Sequence, residues 1–369
     1  MLSIARLLEK YPKMTDIHVM EGEAVQIRRE GRLERITEKM DSETFYAFLA
    51  PYVPDLQQGI LSGNEALDRG CSEGNQRLRF HLYRVRGHRA ASIRILPSLA
   101  DLPEDGDSEW IQDMASLPNG LVLVTGPTGS GKTTLLARME LEISKRRPVH
   151  ILTLEDPVEY YIKGVNQIPI RKEIGLTFAE TLRAVLRQDP DIVAVGEIRD
   201  AETAEITMRA AITGHLVLTT VHTNDAVMTI NRLRDAGVAP FLIADALKGV
   251  VSQRLVRKIC PDCREAYVPT EEERRLVGAE KGQMLYRGKG CPHCFGTGYR
   301  GRTGIYEILF MNQKGRKAVL EGAARDELLE ALKDEDYQSM EDNCKELIRM
   351  GTTTVEEGLR VILEMGRKK

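Results

Sequence analysis

Gly126, Gly131, Lys132 and Thr133, within GPTGSGKTTLL, satisfy the spacing G-x-x-x-x-G-K-[ST], and the chemistry that spacing serves is phosphate binding. LVLVT before it reads as a strand and TTLLARMELEISK after it as a helix, which is the context the motif requires. Glycines let successive backbone N–H groups turn inward around a phosphate, and the N-terminus of the following helix adds partial positive charge. Gly126, Pro127, Thr128, Gly129, Ser130, Gly131, Lys132, Thr133 and Thr134 are therefore the expected ATP loop. Lys132 neutralises the β and γ oxygens, and Thr133 is the expected ligand of Mg²⁺.

Other chemistry-bearing residues follow apolar runs. DIVAVGEIRD ends a buried-strand run in an acid, Glu197, where a P-loop protein places its second Mg²⁺-site carboxylate. Because it is Glu and not Asp, it reaches further and is expected to polarise an attacking water, making the chain a hydrolase and not a kinase. HILTLEDPVEY offers Glu155, Asp156 and Glu159 just after another strand, and acids that close repel unless a cation sits among them. AITGHLVLTTVHTNDA brackets a strand with His215 and His222. His222 falls at the strand's carboxyl end, on the same rim as Lys132, and His215 is the weaker candidate for the γ-phosphate.

CPDC (Cys260 to Cys263) and CPHC (Cys291 to Cys294) form two C-x-x-C pairs. Each pair bends through a tight knuckle, and four thiolates make a closed structural Zn²⁺ site with no coordination position left for catalysis. Cys71 and Cys344 read as plain buried or surface thiols. The paired pattern favours metal over disulfide in a reducing compartment.

The elements that must position these groups fall into two textures. Residues 1–100 mix short β-like runs (DIHVM, AVQIRR, RLRFHLYRV, ASIRILP) with one helix near Ser42 to Leu49, in the style of a small α+β domain. Residues 101–118, Pro- and Gly-bearing and acidic, read as a linker. Residues 119–369 then alternate apolar runs with helical segments, the pattern of an α/β fold with a parallel sheet flanked by helices. This part carries the cysteine insertion over 258–300 and, after it, charged amphipathic segments such as RDELLEALK and TVEEGLRVILEM that read as helices.

Composition narrows the function class. The chain has 369 residues, 42% hydrophobic, with 52 Lys and Arg against 55 Asp and Glu, a net charge of −3. No global basic field draws it to nucleic acid or anionic lipid. With aromatics at 5%, there is little material for base stacking, so no direct nucleic-acid partner is expected. No signal peptide or uninterrupted transmembrane-length run is read, which points to a cytoplasmic protein whose membrane attachment needs a partner.

The blocks GPTGSGKTT, ILTLEDPVEY, LRAVLRQDPDIVAVGEIRDAETAE and RAAITGHLVLTTVHTNDA, in this order, closely resemble the secretion ATPases that power type II secretion, type IV pili and competence pseudopili. The resemblance runs from about Thr15 to the C-terminus. It implies a PAS-like N-terminal domain, a RecA-like ATPase domain with the zinc insertion, a homohexamer, and ATP, Mg²⁺ and structural Zn²⁺ as ligands. It also implies work on an inner-membrane platform protein and its pilin or pseudopilin machinery, at the inner face of the cell membrane. By matching motifs, it assigns Arg79 and Arg94 from the N-terminal domain, and Arg183 and Arg187 from LRAVLRQ, to the nucleotide, alongside Glu155, Glu159, Glu197 and His222. The tetracysteine element is a feature of the assembly and secretion branch, whereas LRFHLYRVRGHRAASIRILP looks at least as much like the retraction branch. A P-loop nucleic-acid motor is the alternative from another class.

Overall fold

The computed structural model describes residues 2–29, 32–53, 66–74, 76–96, 98–99, 108–223, 225–333 and 337–366. The chain divides into two compact units. One comprises Met1–Pro103 together with Glu155–Lys163 and Gln167–Arg171, and the other comprises the remainder.

The first unit contains α1 (Ile4–Lys10), β1 (Met14–Met20), β2 (Ala24–Arg29), β3 (Arg32–Lys39), α2 (Ser42–Leu49), β4 (Leu67–Glu73), β5 (Gln76–Val85) and β6 (His88–Leu96). Local signals start the helices: the Ser3 hydroxyl accepts from Arg6 N, and the Asp41 carboxylate from Thr44 N, each satisfying an orphan amide of the first turn. The six strands order β3-β2-β1-β6-β5-β4. Their alternation is strict in β5, where Leu78, Phe80 and Leu82 are fully buried while Arg77, Arg79 and His81 lie on the other face. The buried face joins Ile17, Ile27 and Ile93 to Ile4 and Leu7 of α1 and Phe45 and Leu49 of α2 in one core. Each such side chain contributes about 1.5–3 kcal/mol on full burial. The opposite face is polar and carries Asp16, Arg28, Arg79 and Arg94.

From Ser108 the chain runs α3 (Ser108–Ala115), β7 (Gly120–Thr125), α4 (Lys132–Arg146), β8 (Ile151–Glu155), β9 (Val165–Pro169), α5 (Phe178–Val185), β10 (Ile192–Val195), α6 (Ala201–Ile212), β11 (Leu216–Val221), α7 (Ala226–Asp235), α8 (Pro240–Ala246) and β12 (Leu247–Ile259), all in the second unit but for Glu155 of β8 and Gln167–Pro169 of β9. It continues with β13 (Arg264–Tyr267), α9 (Glu271–Val277), β14 (Leu285–Gly288), β15 (Tyr299–Phe310), α10 (Gln313–Glu321), α11 (Arg325–Leu332), α12 (Met340–Arg349) and α13 (Val355–Gly366). Of the expected linker, residues 101–107 lie outside the described residues, and Ser108–Ala115 is helical.

The large sheet has the order β15-β12-β7-β11-β10-β8-β9. β7, β10 and β11 are buried at every position, which is why they read as continuous apolar runs. β12, β7, β11, β10 and β8 pair in parallel, but β15 returns antiparallel to β12 over Gly249↔Phe310 to Ile259↔Tyr299. The expected parallel sheet thus gains an antiparallel edge. The reason lies in the connection: the insertion of cysteine knuckles, β13–β14 ribbon and short helix α9 does not cross over the sheet, so the chain re-enters beside β12 running the other way. Val256 and Ile305 from this β12–β15 pair join Val277, Leu285, Cys344, Ile348 and Val361 in a separate core under the insertion.

Candidate nucleotide-binding site

The loop between β7 and α4 is held by what lies beneath it. Gly126 has φ +150°, and a Cβ there would meet the Gln253 carbonyl oxygen at 2.4 Å and Ser130 Oγ at 2.5 Å. Only glycine fits between the loop and β12. Gly131 caps α4 in the left-handed conformation, and no side chain occupies the helix N-terminus, so the first-turn amides are left to an anion. Ser130 Oγ is buried without a hydrogen-bond partner, a cradle suited to phosphate oxygens.

Lys132 is 7% exposed. Its Nζ donates to the carbonyls of Gly126 at 2.9 Å and Pro127 at 3.1 Å, and lies 3.3 Å from His222 Nδ1. His222 Nε2 in turn lies 3.3 Å from Glu197 Oε2. Since an ammonium only donates and a carboxylate only accepts, we assign the imidazole as accepting at Nδ1 and donating from Nε2. Three sequence-predicted residues, from the start of α4 and from the loops after β10 and β11, therefore form one chain, Lys132–His222–Glu197. Burial pushes the Lys132 ammonium down from its ordinary value, against the pull of Glu197. Burial pushes Glu197 up, but Arg199, bonded to its Oε1, and His222 outweigh it and hold the carboxylate below its usual range. His215 does not join them: its Nδ1 pairs with the Ala210 carbonyl at 3.0 Å. Thr133 is exposed in the first turn of α4, where its hydroxyl is available to Mg²⁺.

The acids of the loop after β8 have donors of their own. Glu155 accepts from Gln167 Nε2 at 2.9 Å, and Glu159 accepts from Arg79 Nη1 at 3.0 Å. These donors offset part of the repulsion among the acids. Among the described residues, the one group of three or more potential metal ligands is the four cysteines. Arg79 also lies 3.8 Å from Asp68, and Arg94 Nε donates to Asp16 at 3.0 Å. Arg183 is engaged by Glu180 and Glu202, and Arg187 Nη1 donates to the Arg183 carbonyl at 2.9 Å. Neither is bonded to the Lys132–His222–Glu197 chain.

Residues that sequence reading passed over complete the site. Thr125, at the end of β7, donates to the Thr223 carbonyl at 3.1 Å and accepts from Thr223 N at 3.1 Å, fixing the residue after His222 to the start of the phosphate loop. Gln253 is 4% exposed with Oε1 unpartnered. The adjacent polar pair Ser252–Gln253 inside the apolar run GVVSQRLV is the signal that marks it.

The cysteines converge. Cys260, Cys263, Cys291 and Cys294 have their sulfurs within 4.8 Å of one another, with separations of 3.9 Å (Cys260–Cys291), 3.8 Å (Cys263–Cys294) and 3.7 Å (Cys291–Cys294). A tetrahedron of Zn–S bonds of about 2.3 Å has edges of about 3.8 Å, so the donor set fits zinc. The Cys294 sulfur accepts from the amides of Cys291 at 3.1 Å and Gly298 at 3.2 Å, donors that favour the thiolate a metal needs.

A phosphate loop on a mixed α/β sheet, with a strand-end glutamate and histidine beside its lysine, defines a P-loop nucleotide-binding protein. Residues 88–360 match the family described as Type II/IV secretion system protein, and the chain belongs to that family. It is 47% identical over 251 residues to the type II secretion system ATPase E of Vibrio cholerae, covering 67% of this chain and 49% of that protein. It is 42% identical over 295 residues to the type IV pilus assembly ATPase PilB of Thermus thermophilus, covering 76% of this chain and 32% of that protein. The chain thus spans about half the length of the type II secretion relatives it matches, and about a third of PilB. The crystal structure of the pilus retraction motor PilT with bound ADP is similar at a TM-score of 0.73 and 29% identity, covering 98% of this chain and 97% of that one. Among the described residues, no helix is long and apolar enough to cross a membrane.

Proposed function

We propose that this chain hydrolyses Mg-ATP and converts the energy into mechanical work on an inner-membrane platform protein, driving type II secretion or the assembly of a type IV, pseudopilus or competence fibre. The observation that carries the reading is the Lys132–His222–Glu197 chain beside an uncapped helix N-terminus. Lys132, now donating to two loop carbonyls, exchanges them for β and γ phosphate oxygens. Glu197, held ionised, takes the proton of the attacking water. His222 keeps the carboxylate and the ammonium apart and in register. Mg²⁺, held at the Thr133 hydroxyl, supplies charge neutralisation to the phosphates when bound. Arg79, Arg94, Arg183 and Arg187 supply guanidinium charge to the departing phosphoryl group, which requires Arg79 and Arg183 to exchange their present carboxylate partners and Arg187 the Arg183 carbonyl, while Arg94, bonded to Asp16 through Nε, offers its Nη groups. Zn²⁺ at the four cysteines is structural. The working form is a homohexamer in the cytoplasm, at the inner face of the membrane through its partners.

The tetracysteine site, with its resemblance to the assembly and secretion branch, and the relatives named above favour that direction of work. The likeness to PilT along nearly its whole length supports retraction as a second reading. Lys132→Ala tests the site. Mg-ATP hydrolysis is expected to fall to background while the circular dichroism and Trp110 fluorescence are retained, and wild-type turnover in this variant would remove the assignment.

A further inference from the structure

Arg28, Asp16, Arg94 and Arg79 lie in one row across β2, β1, β6 and β5: Arg28 faces Asp16, Asp16 faces Arg94, and Arg94 faces Arg79. Directly opposed residues in antiparallel strands share a face with Cβ atoms about 5 Å apart. The row therefore places three guanidinium groups along one line with a single carboxylate among them. Asp16 is only 9% exposed, whereas the Arg94 side chain is 67% exposed.

Both oxygens of that carboxylate are used. Oδ1 accepts from Arg94 Nε at 3.0 Å, while Oδ2 accepts from the Thr15 hydroxyl at 2.9 Å and lies 4.0 Å from Arg28 Nε. A carboxylate held from two sides is a fixed post. Arg94 is tied to it by Nε alone, and among the described residues its two Nη groups bond to nothing else. Those Nη groups form the fork that matches two phosphate oxygens. A free arginine gives up much rotamer freedom to aim such a fork, and a buried anchor at Nε removes that cost beforehand.

We propose that Asp16 is a positioning residue that fixes the Arg94 guanidinium through Nε and presents its Nη fork to phosphate, an inference that rests on the reading of Arg94 as a nucleotide-contacting group. Arg28 and Thr15 act one step further back, by holding Asp16.

The test is steady-state Mg-ATP hydrolysis by the full chain and three variants. Arg94→Ala sets the reference loss. Asp16→Ala is expected to lower kcat by about 10- to 100-fold, as misplacement of a reacting group by about 1 Å does, with KM changed less than about twofold. Asp16→Asn, which keeps an acceptor for Nε and the volume of the buried side chain, is expected to fall between Asp16→Ala and wild type. The double variant Asp16→Asn/Arg94→Ala is expected to match Arg94→Ala alone, because a post has no effect once the group it holds is gone. A merely structural Asp16 would lower stability and add its loss to that of Arg94→Ala. Additive losses, or a wild-type kcat in both Asp16 variants while Arg94→Ala is slow, would overturn the positioning role and leave Arg94 in place. A wild-type rate in Arg94→Ala would instead remove the reading of Arg94, and the inference with it.

Discussion

Replacing Gly126 by alanine should damage the phosphate loop far more than the same change at Gly129, three residues along. Both have positive φ, +150° and +81°, so both substitutions carry backbone strain of about 1–3 kcal/mol. The surroundings separate them. A Cβ at Gly129 meets nothing within 4 Å, whereas at Gly126 it lands 2.4 Å from the Gln253 carbonyl oxygen, roughly 0.9 Å inside an ordinary C···O contact of about 3.3 Å. The clashing atom is backbone, and Gln253 sits opposite Tyr306 in the β12–β15 ladder, so relief must come from shifting the strand or the loop. Overpacking of that kind costs about 1–3 kcal/mol, which brings Gly126→Ala to about 2–6 kcal/mol against about 1–3 for Gly129→Ala. Trp110 is the single tryptophan of the chain, and its ring lies 5.2 Å from that of Tyr306, so its fluorescence reports unfolding beside β12. Urea titrations followed at Trp110 should show Gly126→Ala the less stable by about 2 kcal/mol, with fluorescent ADP bound by Gly129→Ala and lost in Gly126→Ala. Coincident titrations and equal ADP binding would refute the argument that β12 sets the identity of this residue.

Two further outcomes are expected. Metal analysis of the purified chain should find one zinc per chain, lost in a Cys260→Ser/Cys294→Ser variant. Chelation should expose residues 264–290 to protease while Trp110 keeps its native emission, because the metal would close the two ends of this segment, whose Val277 and Leu285 pack in a small core with α12 and α13; unchanged cleavage would argue against a metal-held insertion. Glu197 has its carboxyl held below the ordinary 4.5, so its contribution to stability is present above that value and is lost as pH falls through the lowered folded one. The urea-midpoint advantage of wild type over Glu197→Gln should therefore be full at neutral pH and fade in acid; an advantage that grows toward acid would reverse the assigned sign.

What the sequence determined by itself was whatever depends on short-range chain geometry. The G-x-x-x-x-G-K-[ST] spacing, the strand before it and the helix after it are local, and Lys132 begins α4 where the pattern puts it. Ser42–Leu49, Phe178–Val185 and Ala201–Ile212 begin at their caps Asp41, Thr177 and Asp200, since an N-cap acts within three residues of the helix it starts. The two C-x-x-C pairs announced their own chemistry, because each knuckle is closed by neighbours in the chain. Tertiary structure alone decided the rest. His222 could be placed on a rim from sequence, but its bridging of Lys132 to Glu197 depends on β7, β10 and β11 lying side by side in register. The acids of EDPVE look like one cluster in the sequence, yet Gln167 and Arg79 draw two of them to different partners. Asp16 and Arg94 are separated by most of the first unit's strands in the chain and by one hydrogen-bonded step in space. Such pairings arise from strand register, which the buried alternation of a whole sheet fixes at once, and no short stretch of residues contains that information.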